Sequence, residues 1–174
     1  MSAAPSVTGA ALAAGRKPRR WGAWYVALHR FRVMKSYTGT VVVAGIGSPL
    51  IYLYALGVGL ATIVDANLGA GAVDGVSYLV FVAPALLASA AITVASEEFT
   101  YPVMLGYKWN PTFAGMSASP LRPTQIVDGV ILSVAIRMLV NLVLFFALIL
   151  VFGAAPSPMA ALMIGAGLLG GIAF

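Results

Sequence analysis

Few side chains in this sequence have the chemistry to do more than pack. Beyond position 35 the charged residues are Asp65, Asp74, Glu97, Glu98, Lys108, Arg122, Asp128 and Arg137. Glu97 and Glu98 stand together where a long apolar run gives way to a polar stretch. Such a pair either marks a solvated helix end or turns one carboxylate toward the interior of a helix bundle. Arg137 is more unusual, because it lies inside a further apolar run with Asn141 one helical turn along. A guanidinium in hydrocarbon is costly and normally faces protein or a wet cavity. Glu97, Arg137 and Asn141 are therefore read as candidates for a gate or substrate pathway. The alternative for Arg137 is structural, hydrogen bonding to backbone carbonyls or to Asn141.

Conventional catalysis is not expected. The chain has no cysteine and one histidine, His29, so a thiol nucleophile is excluded and a zinc site of the usual donor set is not expected. Serines are plentiful, but a hydrolase triad would have to recruit that single, distant histidine. No Gly-Lys pair follows a GxxxxG spacing, so no phosphate-cradling loop is present. No cofactor or metal is expected on this chain.

The elements that would position these residues follow from composition. Of 174 residues, 61% are hydrophobic and 9% charged, and the mean hydropathy is +0.98. Soluble domains carry roughly 25% charge, so the reading is an all-α polytopic membrane protein. Apolar runs predict spans over about Thr38–Val64, Val76–Ser96 and Ile126–Phe152, with a fourth run starting at Met159 and still apolar at Phe174. That last run reaches only about 24 Å at 1.5 Å per residue, short of a ~30 Å core, so more chain is expected after it. The Gly45, Gly47, Ser48 and Pro49 group predicts a kink in the first span, and Pro84 a bend in the second. Small residues in the second span (Ala83, Ala85, Ala88, Ser89, Ala91, Ala95) permit close helix contact in lipid. Residues 65–75 read as a loop with two aspartates and no cation.

Residues 1–15 carry no charge and are expected to be irregular. Seven of the ten basic residues then fall between Arg16 and Lys35. Among them Trp21, Trp24, Tyr25, Leu28 and Phe31 recur at helical spacing, forming a membrane-interface stripe flanked by cations. The chain thus divides into a tail and interfacial helix, 1–35, and a membrane domain, 36–174. The net charge of +5 is spent on this anchor, and nucleic acid is not an expected partner. Basic residues recur in the stretch after the second span and are missing from the other two loops. The positive-inside rule then places the N-terminus and residues 97–129 in the cytoplasm.

That stretch, EEFTYPVMLGYKWNPTFAGMSASPLRPTQIVDG, holds five of the eight charges beyond residue 35. It reads as a docking segment, since irregular backbone is not tolerated against lipid. Tyr101, Met104, Tyr107 and Trp109 put aromatic and thioether side chains into an otherwise polar setting. Such residues are enriched as interface anchors, although Tyr and Trp also favour the membrane interface.

Several motifs carry a family likeness. They are a glutamate leaving the second span, Met116-Ser117-Ala118-Ser119-Pro120-Leu121-Arg122-Pro123, then Ile126 and Gly129, with Phe81-Val82-Ala83-Pro84-Ala85-Leu86-Leu87-Ala88 and Tyr101-Pro102-Val103-Met104. Together they resemble the type-2 ABC exporter permeases, in the branch of nodulation lipo-oligosaccharide and daunorubicin-type drug exporters. That branch usually has Gly where Ala85 stands. The resemblance covers about residues 20–170 and implies six spans, an interfacial helix and a cytoplasmic coupling segment, here 97–125. It implies an ABC ATPase subunit that carries ATP and Mg and docks on Glu98, Tyr101, Met104, Tyr107, Lys108, Trp109 and Phe113. It also implies a second permease copy or homologue, surrounding membrane lipid, a bacterial inner-membrane location, and a lipid-linked, glycolipid or amphipathic drug-like substrate. Two other classes stand beside it: a non-transport scaffold, and an ion-coupled transporter, which would need carboxylates inside the spans.

Overall fold

The computed structural model describes residues 7–69 and 77–174, and among them every regular element is helical. The order is α1 (Val7–Lys35), α2 (Thr38–Tyr52), a π-wound segment (Leu53–Leu60), α3 (Ala61–Leu68), α4 (Tyr78–Met104) and a π-wound turn (Leu105–Trp109). Then come α5 (Thr112–Ser117), α6 (Pro123–Val151), a 3₁₀ turn (Pro158–Ala161) and α7 (Leu162–Ala173). Three helical stretches are long and apolar enough to cross a membrane: Thr38–Val64, Tyr78–Trp109 and Pro123–Val151. A shorter apolar helix covers Pro158–Ala173. The protein is a polytopic, all-helical membrane protein.

Several boundaries differ from those expected. Residues 7–15 are helical rather than irregular, and residues 1–6 lie outside the described residues. The loop expected at 65–75 is still helix to Leu68, with residues 70–76 outside the described ones. The second span does not stop at Ser96. Polar residues do not by themselves end a helix, and α4 runs on through Glu97, Glu98 and Thr100 to Met104. The backbone leaves the helix only at Asn110, whose extended conformation (φ −133°, ψ 92°) precedes Pro111. Pro84 sits within α4 without interrupting it.

Pro49 and Pro102 each precede a change of winding. A proline ring removes one i→i−4 bond and clashes with the carbonyl it would have met. The π segments begin shortly after each, at Leu53 and at Leu105. The irregularity expected around Gly45–Pro49 is thus displaced toward the C-terminal side of the proline.

The chain forms two compact units. The first comprises Met1–Ser36 and Phe99–Val134. Its core is Val26, Phe113, Ile126, Val130 and Val134, with Val103, Met116 and Leu121 against it. Helix α1 meets α6 through glycines. A Cβ on Gly129 would stand 2.6 Å from the Ala23 carbonyl oxygen and from Val26, and one on Gly22 would meet Gln125 and Leu121. Gln125 also closes the start of α6. Its Oε1 accepts the Arg122 backbone N–H (3.0 Å) and its Nε2 donates to the Arg19 carbonyl (2.7 Å). With Pro123 at the first helical position, this is the back-bonding half of a capping box.

The second unit comprises Tyr37–Glu98 and Ala135–Phe174. Its core interleaves Ala83, Leu87, Ala91, Val94 and Ala95 of α4 with Met138, Leu142, Phe145 and Ile149 of α6, and adds Leu53 and Ala154. Helix α7 enters through Gly167 and Gly171, both buried. A Cβ on Gly167 would press on Leu87, and one on Gly171 on Met138 and the Ala91 carbonyl. This is a small-xxx-small approach of the kind that lets helices meet in lipid. Gly153 (φ +70°) turns the chain out of α6. The Ala154 N–H bonds Ile149 O and the Gly153 N–H bonds Leu150 O, the paired bonds of a Schellman ending.

Candidate functional site

Two groups of side chains stand out, one in each unit. In the first unit, the end of α4 and the turn that follows it present Tyr101, Met104, Tyr107 and Trp109 to the surface, each about half exposed or more. The rings are held rather than splayed. Tyr101 lies 5.9 Å from Trp109, and Tyr107 lies 4.9 Å from Phe113, centroid to centroid. The Lys108 ammonium sits 5.9 Å from the Trp109 ring centre, close enough for a weak cation–π attraction. The five-residue π turn is closed by the Asn110 N–H on Leu105 O at 2.8 Å. Short helix α5 then folds back so that Phe113 lies beneath Gly106, where an added Cβ would clash with its ring.

Phe113 is accordingly a core residue, 8% exposed, and not one of the docking side chains it was grouped with. Its buried ring props the exposed Tyr107. The same correction applies to Glu98. It was read as a docking residue at the end of a span, but it lies on the buried face of α4, 5% exposed. Glu97, read as the inward member, is exposed. Neighbouring helix positions differ by about 100° in direction, so only one of the two carboxylates can share the buried face.

In the second unit Glu98 forms an ion pair with Arg137. Arg137 stands midway along α6, on the margin of the buried stripe Val134, Met138, Leu142. Its side chain keeps 17% exposure against 6% for Glu98. Asn141, half-buried one turn on, directs its Oδ1 at Gly45 of α2, close enough that a Cβ there would sit 2.8 Å away. Arg137 and Asn141 thus share a face, and the arginine has a carboxylate as partner rather than backbone alone. An ion-coupled mechanism would need carboxylates inside the spans. Glu98 lies on a helix continuous with the second span, and its charge is engaged by Arg137.

The N-terminal stripe is placed as an outward face. Helix α1 buries Gly22, Val26 and Ala27, while Trp21, Trp24 and Tyr25 are exposed and Leu28 and Phe31 are half-buried. A break in the winding at Trp21 (φ −117°, ψ 24°) separates this segment from the earlier turns. The Arg20 guanidinium lies 5.9 Å from the Trp21 ring. His29 is exposed and borders an open groove of about 400 Å³ between α1 and α5. Among the described residues no group of three or more His, Cys, Asp or Glu side chains is placed to hold a metal.

No protein-family model matches the chain, and no solved structure does. Curated relatives do. The chain is 34% identical over 88 residues to nodulation protein J of Rhizobium leguminosarum bv. viciae, across 51% of this chain and 32% of that protein. It is 37% identical over 84 residues to the bv. trifolii protein, across 48% and 30%. With nodulation protein J of Rhizobium meliloti (strain 1021) the identity is 38% over 88 residues, across 51% and 31%. The match therefore spans about a third of the length of each relative. Over that part, the likeness to the nodulation branch of type-2 ABC exporter permeases that the motifs carry is borne out.

Proposed function

We propose that the chain is a permease subunit of an ABC exporter in a bacterial inner membrane, with its N-terminus and the 97–125 segment cytoplasmic. ATP and Mg are bound by a separate ATPase subunit, and the chain itself is not an enzyme. The working assembly pairs this permease with a second copy or homologue and two ATPases. The substrate is a lipid-linked, glycolipid or amphipathic drug-like molecule. Closure of the ATPases on ATP pulls the coupling segment, and the attached helices α4 and α6 tilt to release substrate outward.

The observation that carries this reading is the exposed aromatic platform of Tyr101, Met104, Tyr107 and Trp109, buttressed by ring contacts and by buried Phe113. Aromatic and Met anchors of this kind carry most of the binding energy at protein interfaces. The similarity to nodulation protein J supports it independently. The test is copurification. An ATPase subunit is expected to copurify with the permease, and a Tyr107→Ala, Trp109→Ala double variant to insert normally while losing it. Truncation of true anchors costs about 2 kcal/mol or more of partner affinity. Undiminished retention of the ATPase would move the docking surface elsewhere.

A further inference from the structure

The open groove of about 400 Å³ between α1 and α5 falls in the size range of small-ligand sites, and all of its lining belongs to the first unit. Its floor is apolar. Val26 is part of the core of that unit, and Met116 and Leu121 pack against the same core. Helix α1 adds the Tyr25 ring with its hydroxyl and, one turn on, the His29 imidazole. Gly115 lines the groove from α5, and nothing lies within 4 Å of where its Cβ would stand. The lining is therefore amphiphilic, with a packed hydrocarbon floor and polar groups along one edge.

Charge narrows what such a groove can hold. Nine of the ten basic residues fall in the first unit and Asp128 alone opposes them, so nine against one leaves a formal charge of +8. Two of these cations adjoin the lining along the chain: Arg32 is exposed one turn after His29, and exposed Arg122 directly follows Leu121. Tyr25 belongs both to the groove and to the exposed face of Trp21, Trp24 and Tyr25. A helix with aromatic residues on one face and flanking cations lies at the headgroup level of a bilayer, so the groove is continuous with the surface that meets lipid. Basic segments at that level attract anionic lipid without any pocket, and the groove adds a fixed place for one molecule. A protein segment is the poorer match, because Tyr101, Met104, Tyr107 and Trp109 do not line it.

We infer that the groove between α1 and α5 is a binding site for one anionic phospholipid of the bilayer. Its hydrocarbon lies on Val26, Met116 and Leu121, and its phosphate is met by His29, Arg32 and Arg122. The inference goes beyond the exporter reading and does not depend on it, since it needs only α1 at the bilayer surface.

The test incubates the purified chain in mild detergent with equal amounts of phosphatidylglycerol and phosphatidylcholine of matched acyl chains. Retained lipids are counted by native mass spectrometry. A single phosphatidylglycerol should be retained, roughly tenfold or more in preference to phosphatidylcholine, because each basic residue near an anionic headgroup is worth about fivefold. The paired change Arg32→Gln, Arg122→Gln should lower that retention about fivefold per cation. Arg16→Gln with Arg19→Gln removes the same charge more than a turn before Tyr25 and should leave retention nearly unchanged. Gly115→Leu puts a side chain into the groove and should displace the lipid, whereas Gly115→Ala, with only a methyl, should keep it. The comparison of the two lipids needs no mutation. Equal retention of both lipids, equal losses from the two arginine pairs, or the same result from Gly115→Leu and Gly115→Ala would each overturn the inference. Undiminished phosphatidylglycerol on Gly115→Leu together with loss of a copurifying ATPase would instead assign the groove to protein.

Discussion

Replacing Arg137 with Leu removes the guanidinium from Glu98 and leaves a carboxylate that is 5% exposed on the packed face of α4. Breaking a buried ion pair from one side costs about 3–5 kcal/mol, because the remaining charge stays desolvated. The two partners are not equivalent. Arg137 keeps 17% exposure and has a long stem that lets its head reach outward. Glu98 is shorter and more enclosed. Arg137→Leu should therefore lie near 5 kcal/mol and Glu98→Leu near 3, both about, within the same range. The double Leu variant removes both charges and should be more stable than either single change, since apolar replacement of a whole buried pair is often neutral or better. Denaturant titration of the purified protein in mild detergent gives all three differences. A change of about 4 kcal/mol is roughly a thousandfold in the folding equilibrium, well above the scatter of such titrations. Transport or assembly should also fall in the Arg137→Leu variant. Two single changes costing under about 0.5 kcal/mol each, with an additive double variant, would show that the pair does not hold α4 to α6.

Two more outcomes are expected. Single cysteines in this cysteine-free chain should report topology: Thr112→Cys should be shielded from an impermeant thiol reagent added outside intact cells, and Ala66→Cys labelled. The reverse pattern would invert the orientation. Gly129→Ala should cost about 1–3 kcal/mol by overpacking, because the new Cβ would stand 2.6 Å from the Ala23 backbone oxygen, which cannot move aside as a side chain does. Gly47→Ala, where nothing lies within 4 Å, should be neutral or gain up to about 1 kcal/mol from helix propensity. Equal stability of the two in the same titration would contradict the packing of α1 on α6.

The parts of this fold that were legible in the sequence are those written in hydropathy. The long apolar runs and the aromatic stripe from Trp21 to Phe31 are signals a single segment carries by itself. The packing faces are not written that way. Val26 joins the core of the first unit, Gly22 abuts Leu121 beside it and Ala27 is buried, yet these small residues are quieter than the tryptophans beside them. Gly167 and Gly171 form a small-xxx-small pair whose spacing is present in the sequence but masked in hydropathy by the surrounding leucines. The drop in hydropathy at Glu97, Glu98 and Thr100 suggests an end to α4, whereas only Asn110 and Pro111 carry a local signal strong enough to stop a helix. Choosing between Glu97 and Glu98 required the helix phase. The partner of Arg137 required a contact between segments distant in the chain, and spacing does not encode that.

The pair matters more here than it would in a water-soluble bundle. In water, the exposed Ile51, Tyr54, Val143, Val151 and Leu169 would be driven together, and burial alone would favour the packed state. In a bilayer a leucine gains nothing by exchanging lipid for another leucine, so association depends on close packing and polar contacts. The core of the second unit fits that condition: it is built on Ala83, Ala91, Ala95, Gly167 and Gly171 rather than on large side chains alone. Close packing of small residues tolerates sliding by a turn, because one alanine resembles the next. Arg137 and Glu98 meet at only one register, and Asn141 on Gly45 adds a second polar point between α6 and α2. Fixing register is the best-attested use of buried polar groups. In this bundle the small residues allow α4 and α6 to approach, and the ion pair determines at which level they stop.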